Sequence, residues 1–345
     1  MESRIIRIAA VLTGCILSAT GCIREGSLDT DREVIRFSAE SMLLRHDALT
    51  KSTTEAFTPN VDKFIVFGEK VSSTDQRFPV FEGVTVNYLQ GQVQAAYWDY
   101  ENPRSWDWTS QSERYDFVAV SPADMGTTRE NNTGNISVST HYDYLTGAPD
   151  GGNQQDILAA TYRRNGTNWE RRFDRVSLAF SHMGSAVAIK IVNNSSNASV
   201  TLNNLRFSNL VVSADAKVSL DNYGASVLRW ANLTPDAADV RQLSPGTSLA
   251  VGDEWTSEYQ IMIPQNLTWY DPALKLNYTV GGNTTDTSVP LNGIARADGS
   301  PITSWEPGVK YTYIISMRLD GGLLVTVTTT PWDEPVQAET PGTLI

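Results

Sequence analysis

Two-residue alternation of apolar and polar side chains is what most restricts the fold of this chain. Ile35, Phe37 and Ala39 alternate with Arg36 and Ser38, and Val84, Val86 and Tyr88 with Thr85 and Asn87. The same period returns in Tyr259, Ile261 and Ile263, in Leu274, Leu276, Tyr278 and Val280, and over Tyr311, Tyr313, Ile315, Met317 and Leu319. Successive side chains of a strand point to opposite faces, so this pattern predicts strands with one buried face. No amphipathic helix longer than two turns competes with it. Turn-rich stretches such as "ADMGTTRENNTGN" and "VGGNTTDTS" separate the strands, which predicts an all-β fold of successive antiparallel β-sandwiches.

Two hairpins are expected. Tyr311–Leu319 and "LLVTVTTT" flank Gly321-Gly322, a pair suited to a tight turn. "VSLAFSHMGSAVAIKIV" reads as the second, with Val176, Leu178 and Phe180 inward on one arm and Val187, Ile189 and Ile191 inward on the other. The segments "EVIRFSAES" and "DRVSLAFSH" open alike, as if each began a sandwich. Since single cores rarely exceed roughly 250–300 residues, two domains are expected. Their boundary falls in the polar stretch before residue 173, giving sandwiches over 34–172 and 173–345.

The amino terminus carries Arg4 and Arg7 and then an apolar stretch, the pattern of a secretory signal. The two cysteines, Cys15 and Cys22, each end a Thr-Gly-Cys triplet. Cleavage before Cys15 would leave an apolar core of about four residues, against the roughly 7–15 a signal needs. A small-residue triplet closed by cysteine resembles the lipobox of a bacterial lipoprotein signal, which makes Cys22 the expected lipid-bearing first residue, with 1–21 as signal and 22–33 as tether. A mature chain with one acylated cysteine forms no internal disulfide and relies on apolar burial. The net charge of −12, with no run of Lys or Arg after the signal, argues against nucleic acid as a partner.

Catalytic signatures are missing. None of the three histidines, His46, His141 and His182, stands in a recognisable triad context, and no metalloprotease, P-loop or nucleophile-elbow motif occurs. His182 shares the parity of Val176, Leu178 and Phe180 and reads as a structural histidine at a strand end. Asp150, Asn153 and Asp156 offer oxygens, but without the spacing of a calcium loop they read as a self-satisfied turn. No catalytic residue, metal site or cofactor is assigned. "YWDYENPRSWDW" gathers Trp98, Trp106 and Trp108. These rings either pack beneath a long connection or form an exposed platform for glycan.

The chain resembles the fimbrillin family, the lipoproteins that supply subunits of type V pili and related adhesion proteins. The resemblance rests on the lipobox and, in order, "IRFSAES", "DKFIVFG", "YDFVAVSP", "QQDILAA", "VSLAFSHMGSAVAIKIVN", "YQIMIPQ", "WEPGVKYTYIISM" and "VTVTTTPW". It implies two β-sandwiches, no enzymatic activity, a lipid anchor in the outer membrane, and other pilus subunits or a second copy as partners, with a host or bacterial surface protein or glycan as the adhesive target. It also implies that an arginine-specific protease removes the first strand, here Ile35, Phe37 and Ala39 with Phe37 as plug, and that a neighbour's strand fills the groove. The donor or closing strand would hold Leu324, Val325, Val327 and Trp332. Arg45 and Lys51 are the candidate processing positions; Lys51 stands where many relatives have arginine.

Overall fold

The computed structural model describes residues 33–40, 62–91, 95–131, 134–143, 155–195, 198–243, 245–318 and 322–332. Strands dominate it. In chain order they are β1 (Phe37–Glu40), β2 (Lys63–Val71), β3 (Arg77–Leu89), β4 (Tyr97–Asp99), β5 (Arg114–Ser121), β6 (Thr128–Arg129), β7 (Ser137–Asp143), β8 (Leu158–Asn165), β9 (Val176–Ala179) and β10 (Ser181–His182). The second half adds β11 (Ser185–Asn193), β12 (Val200–Leu220), β13 (Ser226–Leu243), β14 (Thr247–Leu249), β15 (Glu254–Thr256), β16 (Gln260–Met262), β17 (Ala273–Val280), β18 (Asn283–Pro290), β19 (Val309–Met317) and β20 (Leu323–Pro331).

A six-stranded sheet in the order β10-β8-β5-β2-β3-β4 forms the centre of the molecule. It is buried on both faces. Phe64, Val66, Tyr115, Phe117 and Ala119 point into one core with Ile35, Phe37, Trp106, Val176, Leu178 and Phe180. Phe67, Val118, Val120 and Ala159 point from the same sheet into a second, larger core built with β11, β12, β17 and β19. That explains why "DKFIVFG" and "YDFVAVSP" are nearly continuous apolar runs: a strand covered on both sides has no polar face to alternate with.

The second core is closed by a seven-stranded sheet, β18-β17-β12-β7-β6 with β13 and β14 also on β12, and by a five-stranded sheet, β15-β11-β19-β20 with β16 on β11. β12 is the longest strand; its first part pairs with β17 and its last with β7. Its register shifts around Asn209, which adopts a left-handed φ of 58° and bends the strand.

The β19–β20 hairpin forms as expected, antiparallel from Met317 opposite Leu323 to Val309 opposite Pro331. The other hairpin does not. β9 pairs with β1 and β11 with β19, β15 and β16, so the two arms serve different cores. Alternation fixed which face each arm buries but carried no information on its neighbour. The two like openings, "EVIRFSAES" and "DRVSLAFSH", lie side by side: Phe37 to Glu40 run parallel to Val176 to Ala179, residue for residue. The 172/173 division therefore separates β1 from its partner, while β6 and β7, before it, belong to the seven-stranded sheet.

Candidate strand-exchange site

β1 is held apart from the larger sheets. Its sheet has two strands, itself and β9. On one side Val176 N–H donates to the Arg36 carbonyl at 2.8 Å. On the other, Ile35 N–H donates to Arg104 O at 2.7 Å, Trp106 N–H donates to Glu33 O at 2.6 Å, and Val34 bridges Ser105 antiparallel. The tip of the Tyr100 phenol donates to Ile35 O at 2.7 Å. Burial pushes that phenol above its ordinary pKa, so it stays protonated and keeps donating.

The side chains alternate as the sequence predicts. Ile35 is 0% exposed, Phe37 2%, Arg36 is exposed and Ala39 half-buried. The Phe37 ring is boxed by four others, with centroids at 5.4 Å from Phe81, 5.7 Å from Tyr100, and 6.0 Å from both Phe64 and Phe117, all near edge-to-face. Fully burying a Phe stabilises by about 1.5–3 kcal/mol, and each well-placed ring pair adds about 0.5–1.5 kcal/mol. Gly68 on β2 makes room for this box: a Cβ there would stand 2.8 Å from Phe117 Cδ1 and 3.1 Å from Phe81 Cδ2. Sequence reading gave Gly68, Tyr100 and Arg104 no part in seating the first strand. The one available signal was a glycine inside the apolar run "FIVFG", which marks a close approach.

The candidate donor residues do not act alike. β20 is the edge strand of its sheet. Val327 is fully buried and Val325 half-buried, on the face shared with Tyr313 and Ile315. Leu324 pairs with Ser316 on the other face and is 50% exposed, so it plugs nothing here. Trp332 lies past the strand end, its ring stacked on His182 at 4.3 Å and 7°, and its N–H donates to Gly308 O at 2.8 Å. The free edge is partly covered where Val327 N–H donates to Ala295 O at 3.1 Å.

His182 is buried and hydrogen-bonded through Nδ1 to Asp156, as suits a structural histidine at the passage from one core to the other. His141 is exposed and sits 2.9 Å from Asp215. Asp150, Asn153 and His46 lie outside the described residues, as do Cys22, Arg45 and Lys51.

The three tryptophans are buried to different degrees. Trp106 is 5% exposed, stacked on Trp108 at 5.8 Å and edge-on to Tyr115 at 4.9 Å. Trp108 is half-buried and its Nε1 donates to Arg172 O at 3.1 Å. Trp98, also half-buried, packs on Phe64 at 4.8 Å and Tyr88 at 4.9 Å. Trp106 thus belongs to the first core, and Trp98 and Trp108 pack against that core while keeping part of their surface exposed.

Together these features define an all-β protein of stacked sheets whose first strand is seated separately, on an aromatic socket. Residues 50–332 match the family model described as fimbrillin-like, and the chain belongs to that family. Among solved structures it is similar to a fimbrial protein from Bacteroides vulgatus, at 14% identity and a TM-score of 0.56, covering 87% of this chain and 99% of that one. It is also similar to the tip fimbrial protein Mfa3 from Porphyromonas gingivalis, at 11% identity and a TM-score of 0.40, covering 79% and 95%. The first likeness supports the shared fold; nothing further rests on the second. No curated protein sequence matches the chain significantly.

Proposed function

We propose that this chain is a cell-surface structural protein of the fimbrial type, a pilus subunit or an anchor or accessory protein, that works in adhesion by strand exchange and performs no chemistry. In this reading Cys22 carries the lipid that holds it at the outer membrane. Removal of β1 opens the first core, and a strand from a neighbouring subunit enters, gaining main-chain hydrogen bonds along β9 and the 104–106 segment and filling the pockets of Ile35 and Phe37. β20 is the candidate to be donated in turn.

The observation that carries this reading is the seating of β1: a deeply buried plug on a strand that belongs to none of the three larger sheets. Such a strand leaves without breaking any rung of the six-stranded sheet. Amino-terminal sequencing of protein taken from cells tests it. A start at His46 or Ser52 is the result expected for a polymerising subunit, after cleavage at Arg45 or Lys51. A blocked, acylated Cys22 assigns the anchor role. A protein that carries no lipid and forms no assembly under native conditions refutes the proposal.

A further inference from the structure

The socket under β1 has a shape that can be compared with the strands offered to it. Its floor receives three inward side chains spaced two apart: Ile35, then Phe37, then the small Ala39. The middle position is bounded by the rings of Phe64, Phe81, Tyr100 and Phe117, each between 5.4 and 6.0 Å from the Phe37 centroid. Gly68 has no side chain, which leaves the space in which two of those rings stand. An aliphatic residue at the middle position would leave a gap lined by rigid rings, and rigid walls relax little to fill a gap.

The carboxy-terminal strand of this chain does not supply the missing ring. Sliding "LLVTVTTTPW" through the socket in steps of one residue, the middle position is Val, Thr or Pro in every frame centred from Val325 to Pro331. The single frame centred on an aromatic is that of Trp332. It puts Thr330 in the Ile35 pocket and charged Glu334 at the Ala39 site, and Pro331 beside the ring brings no N–H to the ladder. Residues 333–345 contain no further aromatic side chain. Trp332 is moreover occupied on His182.

From this mismatch we infer that the socket of β1 is built for a subunit of different sequence, one whose donated strand carries an apolar, an aromatic and a small residue at alternate positions. A second copy of this chain, offering β20, is the wrong partner. The inference rests on the strand-exchange reading above and deepens it. It places this subunit at a junction between unlike subunits, where the Phe37 position sets which neighbour is accepted.

The test uses the full chain with one specific protease site inserted between Glu40 and Asp62, cut so that β1 stays seated without a covalent link. Three fluorescent peptides then compete for the socket: residues 33–40, the same peptide with Phe37→Ala, and residues 323–332. The 33–40 peptide is expected to exchange in, its Phe37→Ala form to bind about 100-fold or more weaker, and the 323–332 peptide to be comparably weak. Binding of the 323–332 peptide within tenfold of the 33–40 peptide overturns the inference while leaving strand exchange intact. Failure of the 33–40 peptide itself to exchange overturns strand exchange, and the inference with it. The uncut chain gives a second reading that does not depend on nicking. Replacing β1 side chains by those of β20, as Ile35→Val, Arg36→Thr, Phe37→Val, Ser38→Thr and Ala39→Thr, is expected to lower Tm by roughly 5 °C or more. An unchanged Tm would mean that the socket tolerates β20 and would also overturn it.

Discussion

Two carboxylates face each other across the middle of the six-stranded sheet, and they offer the sharpest test of how it is held. Glu69 on β2 lies directly opposite Asp116 on β5, and both are 0% exposed. Each survives there because arginines surround it: Arg77 and Arg129 bind Glu69, while Arg163 grips Asp116 with Nε at 2.6 Å and Nη2 at 2.9 Å, and Arg114 Nε stands 3.4 Å away. Arg163 also donates to the Asn222 carbonyl at 2.9 Å and to that of Asp221 at 3.4 Å, tying the sheet to the turn between β12 and β13. Changing Arg163→Met should leave Asp116 buried with only its more distant arginine. Removing one partner of a buried pair typically costs about 3–5 kcal/mol, because the remaining charge is uncompensated. Taking out both, with Arg163→Met and Asp116→Leu together, should cost about 1–2 kcal/mol, since the stranded charge is gone, the two turn carbonyls lose a donor, and Arg114 loses one acceptor but keeps Asp75. Urea unfolding followed by tryptophan fluorescence and circular dichroism gives both numbers, and coincidence of the two probes licenses the two-state treatment. A single-variant cost below about 1 kcal/mol, or a double variant no better than the single one, would refute the account of this network as a desolvated, charge-balanced clamp.

Three other expectations follow from the same contacts. Gly68→Ala should destabilise by about 1–3 kcal/mol by driving a methyl against Phe117 and Phe81, read as a drop in urea midpoint at unchanged slope. Trp106→Ala should cost about 3–5 kcal/mol, where a ring serving only as a glycan platform would leave melting unchanged. Hydrogen bonds from Lys217 and Ser137 hold the Glu130 carboxyl below its ordinary pKa, and His141 and Asn232 do the same for Asp215. Both groups bind protons more readily unfolded than folded, so their stabilisation is complete above the ordinary carboxylate range of about 4 and fades as pH falls through their lower folded values. Glu130→Gln should flatten this acid limb in a pH series of melting curves; an unaltered limb would count against it.

Much of the strand content was legible because a sheet with one solvated face writes its geometry into the sequence every second residue. β17, β19 and β1 are cases, and β19–β20 was legible as a pair because only the short Gly-Gly connection separates the two strands in the chain, even though β19 also pairs with β11 on its other side. What alternation does not encode is partnership at a distance. Leu178 and Ile189 both point inward, but into different cores, and nothing in "VSLAFSHMGSAVAIKIV" marks the crossing between them. The socket was half legible. Phe37 stood out by parity and family resemblance, yet the rings that box it come from residues 64, 81, 100 and 117, whose meeting depends on tertiary pairing. The tryptophans stayed ambiguous for a related reason: composition shows that the rings are close in sequence, while their burial depends on what lies beneath them.

The separate seating of β1 also explains why exchange at this strand is physically reasonable where exchange at another is not. Taking out β2 or β5 would break two ladders each and split the central sheet, since both are interior strands. Taking out β1 breaks its pairing with β9 and the few bonds to Arg104, Trp106 and Tyr100, and leaves all three larger sheets paired as before. Its loss is therefore mainly one of apolar burial at Ile35 and Phe37. Backbone hydrogen bonds are nearly alike for any extended peptide, so they favour every candidate strand about equally. The buried side chains differ from strand to strand, and a methylene or a ring missing from a close-packed pocket is felt directly. Discrimination among incoming strands then falls on two adjacent pockets, and most heavily on the one made of aromatic rings, because it is the larger of the two and the less able to collapse.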